Sequence, residues 1–91
     1  DVKVNEDLNL QLSAYPNPTS DFLILKTNNP NAFIHNSMSY QLFDIYGKLI
    51  SSQKVENNET IIYLNKFISG IYFLKIIDNR KLITSFKIIK N

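Results

Sequence analysis

Apolar residues along this chain recur at every second position, in short runs. In LNLQLSA, residues 8–14, Leu8, Leu10, Leu12 and Ala14 all point one way, the mark of a half-buried strand. In FLILKT, residues 22–27, Lys26 shares a face with Phe22 and Ile24, so Leu23 and Leu25 are assigned to the interior. The run MSYQLF at 38–43 turns Tyr40 and Leu42 inward, and TIIYL at 60–64 turns Ile62 and Leu64 inward. In IYFLKI at 71–76, Lys75 marks the face of Ile71, Phe73 and Ile77 as the wetter one, which leaves Tyr72, Leu74 and Ile76 for the core. The last run, KLITSFKIIK at 81–90, is read with Leu82, Phe86 and Ile88 inward and with Ile83, Lys87 and Ile89 outward. No segment carries a helical period; the nearest candidate, residues 65–69, is too short.

Turn signals separate these runs. YPNP at 15–18 ends the first, because each proline lacks a donor and biases its predecessor towards extended geometry. Asp44-Ile45-Tyr46-Gly47 has aspartate and glycine at the outer positions of a type I turn. Followed by a left-handed Gly47, it predicts a bulged three-residue hairpin. Asn57-Asn58 and Asp78-Asn79 read as further tight turns. Gly70 reads as the corner between the NKFIS connection and the run after it, by positive φ or by close backbone approach. Residues 28–37 form a loop, with room for a short edge strand at 32–34. Short strands at such spacing predict an all-β fold, an immunoglobulin-like antiparallel β-sandwich of about seven strands. The cysteine–tryptophan–cysteine signature of antibody domains is missing. One domain is expected over residues 8–91, preceded by a polar linker end at 1–7, DVKVNED.

Composition narrows the function classes. A net charge of +2 is too weak for nucleic acid, whose recognition needs a clustered basic face. With no cysteine, disulfides, thiolate metal sites and cysteine nucleophiles are excluded. No apolar run approaches the roughly 18–20 residues that span a bilayer. The chain starts at Asp1 without a basic-then-apolar leader, and it reads as a piece of something larger.

Little in the sequence points to chemistry. His35 stands in a polar loop and reads as a solvated side chain, since one histidine without cysteine makes no zinc site. Asp21, Asp44 and Asp78 fall at turns and Glu56 and Glu59 flank another, where carboxylates serve turn hydrogen bonds. Calcium at these turns would want an Asp-x-Asp run, which is missing. No glycine-flanked serine forms a nucleophile elbow, and two glycines leave little room for a phosphate loop. No catalytic, cofactor-binding or metal-binding residue is therefore assigned. Tyr15, Tyr40, Tyr46, Tyr63 and Tyr72 are read as packing a core edge with their hydroxyls in water, rather than as a sugar platform, which often uses tryptophan.

Four motifs in fixed order carry a resemblance: YPNP at 15–18, LFDIYGKLI at 42–50, SGIYFLKI at 69–76, and a lysine-bearing strand closing on KIIKN at 87–91. In this order and spacing, residues 14–91 resemble the type A C-terminal sorting domain of the type IX secretion system of Bacteroidota. The match is looser at Tyr46, where the family more often has a small or polar residue, and in the length of the 28–37 loop. The sorting-motif residues so marked are Tyr15, Pro16, Asn17 and Pro18 in the first motif and Asp44, Gly47 and Lys48 in the second. The third supplies Gly70, Ile71, Tyr72 and Lys75, and the last strand supplies Phe86, Lys87, Ile88, Ile89 and Lys90. The resemblance implies a sandwich that is an export address and not an enzyme. Its partners would be a fused N-terminal cargo, the outer-membrane translocon and the surface sortase and attachment complex. The cargo would pass through the periplasm to the cell surface or the medium, with the domain cut off by the sortase. The rival reading is a non-catalytic binding module of a secreted enzyme, fibronectin-like or carbohydrate-binding.

Overall fold

A computed structural model describes residues 12–27 and 37–91. Leu8, Leu10, His35 and the edge strand expected at 32–34 lie outside the described residues. Seven strands are present: β1 (Leu12–Tyr15), β2 (Phe22–Thr27), β3 (Met38–Phe43), β4 (Leu49–Lys54), β5 (Glu59–Tyr63), β6 (Gly70–Asp78) and β7 (Lys81–Lys90). They form two antiparallel sheets, β1-β2-β5 and β4-β3-β6-β7. The chain crosses between the sheets after β2, after β4 and again after β5, the connectivity of an immunoglobulin-like sandwich.

Alternation decides which side chains lie between the sheets. Leu23, Leu25, Ile62 and Leu64 come from one side, and Tyr40, Leu42, Tyr72, Leu74, Ile76 and Ile88 from the other; all are buried. Each was legible from period two. Leu12, Met38 and Val55 complete the core; Val55 lies outside the strands, where no alternation marks it. Ala14 packs against its margin.

Two expectations about the β6–β7 hairpin need correction. The turn is centred on Asn79-Arg80, both in the left-handed region (φ 54° and 67°), while Asp78 remains in the ladder opposite Lys81. Two positive-φ residues give the two-residue connection whose twist matches the flanking strands. The second correction follows two residues on. Ile76 pairs with Thr84 but Ile77 pairs with Leu82, so β7 carries one extra residue, Ile83. This β-bulge resets the alternation. Leu82, expected inward, is 58% exposed, and Ile83, expected outward, packs against the core. Beyond the bulge the expected parity holds: Phe86 packs on the core margin, Ile88 is buried, and Lys87 and Ile89 face out.

The pairings also give the sandwich two dissimilar ends. Phe43 pairs with Phe73, and Gly70 with Lys90. The β3–β4 hairpin, the start of β6 and the end of β7 therefore share one end of the four-stranded sheet. The Asn79-Arg80 turn closes the other.

The bulge makes a contrast that unfolding experiments read. Leu74→Ala, at a fully buried position, should cost about 2–5 kcal/mol. Leu82→Ala should stay within about 0.5 kcal/mol of the parent, as for an exposed site. Urea denaturation of the two variants checks both values; a core-sized loss at Leu82 would show that no bulge intervenes.

Candidate functional site

All four motifs meet at the end that holds the β3–β4 hairpin. The first motif is the corner between β1 and β2, with both Tyr15-Pro16 and Asn17-Pro18 peptide bonds cis. Its prolines have no N–H to offer a neighbouring strand, and the Asn17 side chain takes that role. Asn17 Nδ2 donates to the Lys87 carbonyl at 2.8 Å, and the Ile89 N–H donates to Asn17 Oδ1 at 2.9 Å. Main-chain pairing resumes at Thr19, which lies in a parallel bridge with Lys90. The Thr19 N–H donates to the Ile89 carbonyl (2.9 Å), and the Asn91 N–H donates to the Thr19 carbonyl (2.8 Å). Thr19 is buried, and its hydroxyl donates to the Phe22 carbonyl. The corner thus lines the outer edge of β7 over its last four residues, 87–90, and reaches Asn91 beyond it. It also ties the three-stranded sheet to the four-stranded one.

The third and fourth motifs are one antiparallel pair. Gly70, Ile71, Tyr72 and Leu74 stand opposite Lys90, Ile89, Ile88 and Phe86. Gly70 has φ +153°, and a Cβ there would meet nothing within 4 Å. Of the two reasons considered for this glycine, backbone conformation therefore holds and close approach does not. Tyr72 is buried, and its hydroxyl donates to the Ile68 carbonyl at 2.6 Å. This corrects the expectation for Tyr72 that its hydroxyl reaches water; Tyr46 departs the other way, since it stands exposed and packs on no core edge. The bond, with Phe67 packed at 6.0 Å between ring centroids, fixes the 64–69 connection against β6 in the manner of a tyrosine corner.

The second motif forms the hairpin its sequence announces. The Gly47 N–H donates to the Asp44 carbonyl and the Asp44 N–H to the Lys48 carbonyl, both at 3.0 Å, and Gly47 has φ +84°. Asp44 Oδ1 accepts from the N–H groups of Tyr46 and Lys48, each at 2.9 Å. This carboxylate is a turn fastener, as expected. A register shift at Leu42/Phe43 follows the hairpin. Lys75 projects from the outer face of β6 with its Nζ 4.8 Å from the Phe43 ring centroid, a cation–π contact.

Between the hairpin and the 64–69 connection runs an open cleft of about 500 Å³. Ile45, Tyr46, Leu49 and Ile68 line it with exposed apolar surface, and Lys48 and Lys66 stand on its rim. The structure thus brings the sorting-motif residues together, and Lys75 lines a second, smaller hollow with Phe43, Asp44 and Gly47 of the hairpin. Thr19, Ile68 and the lining residue Leu49 were not singled out from sequence. Thr19 had a usable signal, as the first residue after the prolines able to donate from its backbone. Ile68 had none, because burial of a connection's backbone does not reveal which side chains it exposes. Among the described residues, no three His, Cys, Asp or Glu side chains converge as a metal site.

Asn17→Ala removes two hydrogen bonds to β7, each worth about 0.5–1.5 kcal/mol. The loss should be about 1–2 kcal/mol, with amide exchange accelerating at Ile89 more than at Ile76, which lies outside the corner's reach. Hydrogen-exchange NMR reads this directly; unchanged protection at Ile89 would mean that the corner does not hold the strand.

A family model described as the secretion system C-terminal sorting domain matches residues 13–91. Among curated proteins none matches the chain.

Proposed function

The chain belongs to the secretion system C-terminal sorting domain family, and from this premise we propose how its folded end serves export. It is a C-terminal sorting domain of type IX secretion, carrying an N-terminal cargo across the outer membrane to the surface or the extracellular space. The cargo passes through the periplasm, and the outer-membrane translocon then reads the folded domain. A surface sortase removes the domain, and the cargo is attached to the surface or released. The domain itself catalyses nothing.

One observation carries the translocon step. Residues 87–90 are held on one side by β6 and on the other by Asn17 and Thr19, with Lys87 and Ile89 facing outward. The end of β7 is thereby a fixed, two-sided ladder and not a fraying edge. A signal read in the folded state needs such fixed groups.

The rival binding-module reading has one observation in its favour. Tyr15, Phe22, Ile61 and Tyr63 are exposed on the outer face of the three-stranded sheet, where Phe22 pairs with Tyr63 and Ile24 with Ile61. Retention on insoluble polysaccharide would support it.

The export reading is tested by fusing the chain behind a reporter with a leader peptide, in cells that have type IX machinery. Removing residues 86–91 would also remove Ile88 from the core, so outward point variants are the cleaner probe. The intact domain should deliver the reporter to the surface or medium. Lys87→Ala with Ile89→Ala should lower delivery several-fold while melting like the parent. A reporter that stays periplasmic behind the intact domain overturns the export address. Full delivery by the folded double variant overturns the role of the last strand.

A further inference from the structure

We infer that the cleft between the β3–β4 hairpin and the 64–69 connection is the seat of a receptor segment. The occupant is a stretch of the export machinery's own polypeptide, apolar at its centre and flanked by carboxylates. This deepens the export reading and rests on it.

Three observations converge. The first is exposure: Tyr46 is 92% exposed and Ile68 83% exposed, and with Ile45 and Leu49 they place four large apolar side chains in water around one concavity. Isolated exposed apolar residues need no explanation, but a cluster rimmed by polar groups marks an interaction surface. The second is rigidity. Asp44 fastens one wall through the Tyr46 and Lys48 N–H groups. Tyr72 fastens the other through the Ile68 carbonyl. The apolar side chains are therefore presented on fixed backbone, which lowers the ordering cost of binding.

The third observation is charge. Lys48 and Lys66 stand on the rim, while Asp44, the cleft's carboxylate, already accepts two backbone hydrogen bonds through one of its oxygens. The rim is net positive and complements an acidic flank. The cleft is also continuous with the last strand: its wall residues Gly70 and Ile71 pair with Lys90 and Ile89. A receptor segment seated here would reach the end of β7 without crossing the sandwich.

The reporter fusion tests this with three sets of variants. The first, Tyr46→Ser with Ile68→Asp, removes the apolar lip. The second, Lys48→Glu with Lys66→Glu, reverses the rim and touches exposed side chains only. The third, Ile61→Ser with Tyr63→Ser, removes comparable exposed apolar surface from the other sheet. Thermal unfolding is measured for each. The first two sets should melt like the parent and lose export by about tenfold or more, the effect of a lost interface anchor; the third should export normally. Parent-like export by both folded cleft sets overturns the cleft as the seat, as does equal loss from the control set. Loss from the apolar set alone overturns the acidic flank. Failure of the unmodified domain to export the reporter is a different result, which overturns the export reading itself.

Discussion

The side chain of Asn17, bonded to both Lys87 and Ile89, is the contact on which the rest of this sandwich's motif end depends. A primary amide can present an N–H donor and its carbonyl acceptor on the same side, as the N–H and C=O of one residue in an extended strand do. Here it spans two residues of β7 in the way a neighbouring strand would. The substitution is required by the prolines: a corner with Pro16 and Pro18 cannot supply those N–H groups from its own backbone. Thr19 then continues the pairing with true main-chain bonds. Without these contacts the outer edge of β7, the edge strand of its sheet, would be open to pairing with other chains. Clamped on both sides, β7 keeps its final residues in register with β6.

Other features follow from that clamp. Register at Ile88 fills the core beneath the corner, and the same register sets Lys87 and Ile89 outward. Because the corner belongs to the β1–β2 connection and β7 to the other sheet, four hydrogen bonds staple the two sheets at this end, two from Asn17 and two at Thr19. The staple lies beside the Gly70–Lys90 pair, and from there the wall of the cleft continues through Tyr72 and the Ile68 carbonyl. Proline corner, glycine corner and terminal lysines are far apart in the chain, yet they form one connected hydrogen-bonded unit.

How much of this could be read beforehand depended on whether the information was local. Period two reports side-chain direction along a strand, so Leu23, Leu25, Tyr40, Leu42, Ile62, Leu64, Tyr72, Leu74 and Ile76 were all assigned correctly. The Asp44–Gly47 hairpin was equally legible, because an aspartate and a left-handed glycine specify it within four residues. Alternation misled at Leu82 and Ile83, where a bulge without glycine or proline inverts the two faces. Turn composition misplaced the hairpin centre by one residue, since Asp78-Asn79 carries the turn signal and Arg80 in the left-handed region has none of its own. The partnership of Asn17 with Lys87 was invisible for a different reason: it joins positions 70 residues apart. YPNP could be recognised as a corner, but not as half of a clamp.

The alternation that folds the domain also makes the proposed address conditional on folding. In residues 87–89 the middle side chain is sealed in the core and its two neighbours stand outside. Ile88 cannot be buried without Lys87 and Ile89 being displayed, and these two cannot be held in fixed geometry unless Ile88 is buried. The same holds for the cleft, whose walls exist only when Asp44 has closed its hairpin and Tyr72 has reached the Ile68 carbonyl. An unfolded chain contains the same residues in the same order but presents neither surface. A receptor that reads these groups in place therefore reads a folded state, and discrimination against unfolded chains requires no separate device.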